Sequence, residues 1–369
     1  MQIEQVRVFS HELGVAGGAY VMSTSTVEHL TTTVVEVTAT DGTRGYGETC
    51  PLGSAYQPQH VGGARAALEL LGPAVLGLDP RNYVQVSAAM DGALMGSAYA
   101  KAAIDIACWD LTARSMGVRL CDLIGGAFTD RVPSYYGVML HSPDETAAKV
   151  TQLQGEGFRF LQLKSGGRPV AEDVAVAEAV FDVADPAMNI RIDANRGWTP
   201  MEAITYSTLT QHLPLSLEQP CSTFDVNASL HGKVNHAVLL DESATDVATI
   251  MSAIDRGIAQ GFGMKVTRVG GITPMLTVRA MCDARSIHMS CDDTWGGDIT
   301  NATCAHLGST VRPELFVGTW IAQRYTSSSY AMKTPAVANP DGHIALPDGP
   351  GLGVDPDLDA WGEPLFAWA

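Results

Sequence analysis

Positive charge is scarce in this chain. Its 369 residues carry 23 Lys and Arg against 40 Asp and Glu, a formal charge of −17. Binding a phosphate backbone requires clustered Lys and Arg, so nucleic acid is excluded as a partner. Long apolar runs are also missing. None reaches about 18 residues, the length a helix needs to span a bilayer, so no spanning helix and no membrane partner are expected. The opening MQIEQVRVFS has neither the basic n-region nor the apolar h-region of a secretory signal. Seven cysteines, at 50, 108, 121, 221, 282, 291 and 304, form no CxxC pair. They read as small buried hydrophobes in a reducing cytoplasm, not as a disulfide framework.

What is present is a well-packed globule, 46% hydrophobic and 17% charged. Residues 1–125 read as an α+β domain of strands followed by helices. Ile3–Ser10, Thr31–Thr38 and Thr43–Glu48 are strand-like, with Asp41-Gly42 as the turn between the last two. Helical stretches follow at His60–Leu76 and Ser97–Met116; the second has a surface of small residues suited to close packing. From Val132 the pattern alternates strand and helix. Ser142-Pro-Asp-Glu145 and Thr199-Pro-Met-Glu202 are capping boxes with proline in the first turn, and Thr273-Pro274 starts a third helix similarly. Residues 126–330 therefore read as a (β/α) barrel, a modified TIM barrel. The Pro/Gly-rich segment 331–369 reads as a return to the first domain.

Seven polar residues punctuate the barrel: Lys164, Asp193, Glu218, Asp241, Lys265, Asp292 and Trp320. Their gaps (164→193→218→241→265→292→320) match one strand–helix unit, and each closes an apolar or β-branched run such as FLQLK, NIRID, PLSLE, AVLLD or GFGMK. Barrel enzymes carry their chemistry at the carboxyl ends of the strands. Any one of Asp193, Glu218 and Asp241 alone reads more readily as the N-cap of the next helix. Three in register, one per strand, point to a hard divalent cation such as Mg²⁺. Lys164 and Lys265 flank the three. Two such groups facing one carbon permit deprotonation on one face and reprotonation on the other.

These residues stand in AKAAIDIACWDLTARSMG, LQLKSGG, RIDANRGW, LEQPC, LLDES, GMKVTRVGG and GPGLGV. With those motifs the chain resembles the enolase superfamily, muconate-lactonizing subgroup, over essentially its whole length. The resemblance implies metal ligation by Asp193, Glu218 and Asp241, acid/base roles for Lys164 and Lys265, and a homo-oligomer. It implies proton abstraction α to a carboxylate through an enediolate. One departure stands out: the subgroup's Lys-x-Lys reads Gln162-Leu-Lys164, so Gln162 is expected at the substrate carboxylate.

Leu13–Val27 and Cys50–His60 occupy the positions of the superfamily's two pocket-covering loops, and the glycines of the first suit a mobile lid. Tyr56 in the second, Trp320 and Asp292 together suggest a cationic small-molecule substrate held by cation–π contact. The GETCP loop with its Tyr, CDDTWGGD and Trp320 resemble the 4-hydroxyproline betaine 2-epimerases. That likeness implies Tyr56 and Trp320 around the quaternary ammonium and Asp292 as longer-range charge. Two other enzymes of the subgroup compete: a cis-3-hydroxyproline dehydratase, which expels a β-hydroxyl after the same first step, and a dipeptide epimerase, whose paired aspartates Asp292 and Asp293 would mimic. A quaternary-amine binding protein is the non-enzymatic alternative.

Overall fold

The computed structural model describes residues 1–22 and 25–369. Ser23 and Thr24, inside the first expected lid loop, lie outside the described residues.

Val6, Val8, Val35 and Val37 alternate apolar and partly polar neighbours, and they build an antiparallel meander of Ile3–Gly14, His29–Ala39 and Arg44–Thr49. The Asp41-Gly42 turn forms as its chemistry demands. Gly42 takes φ +84°, and Asp41 Oδ1 accepts from Thr43 N at 3.0 Å. Helix Ala98–Met116, buried from Tyr99 to Ala113, lies directly on the last strand. Contact there is backbone to backbone: a Cβ on Gly47 would sit 1.9 Å from Ala103 O. A fourth strand, Phe366–Trp368, pairs antiparallel with the first (Val6↔Trp368), so the C-terminal tail completes the capping domain. Asp110 anchors that return by accepting from Tyr46 N at 2.9 Å and Leu352 N at 2.7 Å.

Among the described residues, eight parallel strands follow in sequence order: Tyr135–Val138, Phe160–Lys164, Asn189–Asp193, Leu215–Glu218, Ala237–Leu240, Gly261–Phe262, His288–Cys291 and Phe316–Thr319. A parallel bridge between Ser134 and Thr319 closes the ring, giving the expected barrel. Both capping boxes form, at Ser142 with Glu145 and at Thr199 with Glu202.

Two local expectations need correction. The third helix starts at Ile272 with Gly271 as its cap, not at Thr273. The acceptor comes from the other domain, because Asp105 takes hydrogen bonds from Thr273 N (3.0 Å) and Thr273 Oγ1 (2.5 Å). Burial pushes the Asp105 carboxyl up to about 6. Lys265 does not close a regular strand either. Its strand ends at Phe262, and Lys265 pairs with Asp292 as an isolated bridge after Gly263 and Met264.

His306, on helix Asp298–Ser309, ties three segments together. Its Nδ1 accepts from Cys121 N at 3.3 Å, and its Nε2 lies 3.2 Å from Leu352 O on the tail. Burial lowers its pKa to about 4, so protonation favours the unfolded chain. Its contribution is complete above about 6.5 and is lost as pH falls toward 4, amounting to about 3 kcal/mol. Asp105 and Asp298, both raised to about 6 by burial, act oppositely over an overlapping range. A comparison with His306→Asn, whose Oδ1 can still accept from Cys121 N, isolates the histidine. Urea unfolding should show wild type losing about 3 kcal/mol more than the variant between pH 6.5 and 4; equal losses would remove this role.

Candidate active site

The carboxyl ends of the strands converge on a narrow cavity of about 40 Å³. Its wall includes Tyr20, Tyr56, Gln162, Lys164, Lys265 and Trp320. Register explains the convergence. Lys164, Asp193 and Glu218 are Cα partners across three adjacent strands, and Asp241 follows the next. Lys164 closes the second barrel strand and Lys265 follows the sixth. Four strands apart in a ring of eight, they stand on opposite sides.

Each carboxylate is turned toward its own cation. Lys164 Nζ donates to Asp193 Oδ2 at 2.6 Å, and Lys265 Nζ to Asp241 Oδ2 at 2.8 Å. Arg268 bonds the other oxygen of Asp241. Arg191 Nε lies 2.8 Å from Glu218 Oε2, which also accepts from Gln162 Nε2 at 2.9 Å. As they stand, no three acidic, His or Cys side chains among the described residues meet at one point.

These ion pairs govern the titration of the site. Burial alone would lower both lysines, yet the charges of Asp193 and Asp241 respectively raise them above the ordinary ammonium value. Burial pushes Glu218 up to about 7; Arg191 opposes this, while Asp193 and Asp241 add to it. Asp241, despite burial, is held below the usual carboxylate range by Arg268 and Lys265. Glu242, next in sequence, rises to about 8 through burial and the neighbouring Asp241 and Asp193.

Charge and orphaned atoms make these residues fit a divalent cation. In and behind the cavity wall, six buried carboxyl groups (Asp193, Glu218, Asp241, Glu242, Asp292, Asp293) face four buried cations (Lys164, Arg191, Lys265, Arg268) and the partly exposed Arg196, whose Nε lies 3.6 Å from Glu242 Oε1. The one acid in excess is costly in a low-dielectric site unless a proton or a cation neutralises it. Among the described residues, Glu218 Oε1 has no hydrogen-bond partner. Gly263 keeps the space beside it open: a Cβ there would lie 3.1 Å from Glu218 Oε1 and 3.3 Å from Asp241 Cγ. All-oxygen donors with that charge suit a hard ion.

The substrate side is more varied than expected. Trp320 lines the cavity and packs on Trp295 and Tyr325 at centroid distances of 5.6 and 5.3 Å. Tyr56 lines it too, but its hydroxyl donates to Asp241 Oδ2 at 3.1 Å, and the guanidinium groups of Arg196 and Arg268 lie 5.8 and 5.9 Å from its ring. Gln162 is on the wall beside Lys164. Asp292 sits behind the wall, accepting from Trp320 N at 2.9 Å and from Ser290 Oγ. Asp293 reaches the cavity with both oxygens already engaged, by Thr267 N and Oγ1 at 2.9 and 2.6 Å and by Thr294 N at 2.7 Å.

Sequence reasoning missed Arg191, Arg268, Glu242, Trp295 and Tyr20. Arg191 lies mid-strand within NIRID, where its side chain stacks over Tyr135 at 4.3 Å. Tyr20 comes from the first cap loop, and its phenol, raised by burial, is electrostatically coupled to Lys164. The one available signal was an arginine inside an otherwise apolar strand.

Comparison with known proteins identifies the family. Residues 4–125 match the family model described as mandelate racemase/muconate lactonizing enzyme, N-terminal domain, and residues 145–360 match enolase C-terminal domain-like. A cis-3-hydroxy-L-proline dehydratase of Roseibium aggregatum is 36% identical over the full length of both chains. A member of the enolase superfamily from Roseovarius nubinhibens ISM, complexed with magnesium, superposes with a TM-score of 0.94 at 31% identity, over 100% of this chain and 99% of the other. A dipeptide epimerase from Enterococcus faecalis V583, complexed with Mg and the dipeptide L-Leu-L-Tyr, gives 0.89 at 25% identity over 96% and 100%.

Gly263→Val should close the space beside Glu218 Oε1. Mg²⁺ at a hundredfold excess over its Kd should stabilise wild type by about 2.7 kcal/mol in thermal unfolding. The variant should lose most of that gain, and an undiminished Mg²⁺ effect would locate the cation elsewhere.

Proposed function

The chain belongs to the mandelate racemase/muconate lactonizing enzyme family of the enolase superfamily, and on that premise we propose that it is a Mg²⁺-dependent 2-epimerase of proline-type betaines. One observation carries the reading: two buried lysines on opposite sides of one cavity, with three carboxylates on the strands between them. Asp193, Glu218 and Asp241 would hold the ion. When bound, the cation takes up the charge of these carboxylates, which lowers both lysines toward working pH, and it polarises the substrate carboxylate.

The protein's own groups do the rest. One lysine, as the neutral amine, takes the proton from Cα. The other, as ammonium, delivers a proton to the opposite face, so the configuration inverts and no net proton is consumed. Gln162, whose Nε2 donates to Glu218 Oε2 in the free protein, would orient the substrate carboxylate through its amide. A wall of Trp320, Trp295, Tyr20 and Tyr56 supports a substrate whose nitrogen is cationic and cannot donate a hydrogen bond. The full use of Asp293 by Thr267 and Thr294 weighs against a free ammonium anchored there. Asp292 contributes charge through the Trp320 backbone and not by contact.

A second reading, dehydration of a cis-3-hydroxyproline, is favoured by the 36% identical relative. It shares the first proton abstraction and differs in the fate of the β-hydroxyl.

Incubation in ²H₂O with Mg²⁺ separates the two. Proline betaine and 4-hydroxyproline betaine should gain deuterium at Cα with inversion, whereas release of water from cis-3-hydroxyproline in its place would establish the dehydratase. Lys164→Ala and Lys265→Ala should each lower epimerisation by about 10²–10⁴, with substrate binding retained by calorimetry. Epimerisation surviving in both variants would end the two-lysine mechanism. Trp320→Leu should cost roughly 0.5–2 kcal/mol of cation–π attraction, raising KM for betaines about two- to thirtyfold. An equal rise for uncharged analogues would reduce Trp320 to an apolar wall.

A further inference from the structure

Gln219 follows Glu218 directly, is fully buried, and holds a left-handed backbone with φ +36°. Its amide is saturated. The oxygen accepts from Asp241 N and Ser243 N, both at 3.0 Å, and Nε2 donates to Cys221 O at 3.0 Å and Ser243 Oγ at 2.7 Å. The reverse orientation would set an NH₂ group against two N–H donors, so the network permits only one. The backbone of the same residue accepts from Arg196 N at 2.9 Å and donates to Leu239 O at 2.9 Å. Asn195 and Arg196, two and three residues after Asp193, are also left-handed, at φ +43° and +70°. Gln219 therefore joins the ends of three adjacent strands: those that close with Asp193 and with Glu218, and the one that leads into Asp241.

Among the described residues, none of these hydrogen bonds goes to the cap, the lysines or the substrate wall, and no acid/base step requires Gln219. Its bonds reach the backbone of one carboxylate-bearing residue, Asp241, and the loop that follows another, Asp193. A residue without glycine's freedom keeps a left-handed φ only where its surroundings compel it. Here that conformation turns the side chain toward Asp241 N while the peptide oxygen faces Arg196 N. We infer that Gln219 is a positioning residue, setting the spacing of Asp193, Glu218 and Asp241 and thereby the affinity of that set for a divalent cation. This rests on the assignment of those carboxylates made above. Groups that orient metal ligands without touching the ion are typically worth about 10- to 100-fold in affinity.

The test is titration of the full chain with Mn²⁺ alone, followed by calorimetry or by the loss of the free-ion EPR signal, with no substrate present. Gln219→Met keeps the length of the side chain and removes all four bonds. It should weaken Mn²⁺ binding at least tenfold while the thermal unfolding transition remains cooperative. Ser243→Ala removes a single bond and should weaken binding about threefold. Where Gln219→Met folds, its affinity decides; where it does not, Ser243→Ala decides. A deciding variant that binds Mn²⁺ within twofold of wild type, whatever its melting temperature, overturns the positioning role and leaves the metal assignment standing. A wild-type chain that binds no Mn²⁺ overturns both. Failure to epimerise betaines, with metal affinity behaving as expected, touches only the choice of substrate.

Discussion

The arrangement rests on a concentration of negative charge that the barrel buries at one end. Asp193, Glu218, Asp241, Glu242, Asp292 and Asp293 are all removed from water, and Lys164, Arg191, Lys265 and Arg268, with Arg196 at the edge beside Glu242, leave one acid in excess. In a low-dielectric interior such an excess dictates the titration of everything nearby. It holds the lysines protonated through contacts of 2.6 and 2.8 Å. Among the described residues, Glu218 Oε1 stays without a hydrogen-bond partner. A divalent cation held by Asp193, Glu218 and Asp241 would offset that excess and would lower the two lysines toward working pH.

Such a site can exist only where backbone groups are held rigidly, because unpaired carboxylates would otherwise turn toward water. Parallel register does most of this, placing Lys164, Asp193 and Glu218 side by side. The capping domain supplies the rest. Its buried Glu48 accepts from Gly297 N (2.8 Å), Thr300 N (2.9 Å) and Tyr330 Oη (3.1 Å), which anchors the segment that follows Asp293 and Trp295. Asp105 caps a barrel helix across the same boundary. Residues far apart in sequence thus share each anchor, and the cap and barrel act as one support for the cavity.

Local pattern made much of this legible. The Asp41-Gly42 turn, the capping boxes at Ser142 and Thr199, and the strand–helix alternation follow from short-range chemistry, and the structure has them where that chemistry requires. The even spacing of Lys164, Asp193, Glu218, Asp241, Asp292 and Trp320 reflects one residue per repeating unit. Lys265 departs slightly because its strand stops at Phe262. Arg191 and Arg268 escaped notice because an arginine in a strand or a short helix carries no local mark of the carboxylate it will meet. Tyr56 was expected to offer an open face, yet its hydroxyl is bound to Asp241, a contact across 185 positions.

By itself, then, the sequence determined the barrel, its capping domain and the placing of Lys164, Asp193, Glu218, Asp241 and Lys265 at its carboxyl end, since periodicity and turn chemistry are local properties of the chain. Tertiary structure alone decided how those residues are paired. It turned Asp292 to the Trp320 backbone and Asp293 to Thr267, brought Tyr20 beside Lys164, and let Gln219 bind three strand ends together. The reason is physical: pairing among buried charges depends on distances of a few ångströms between segments tens to hundreds of residues apart, and only closure of the barrel sets those distances.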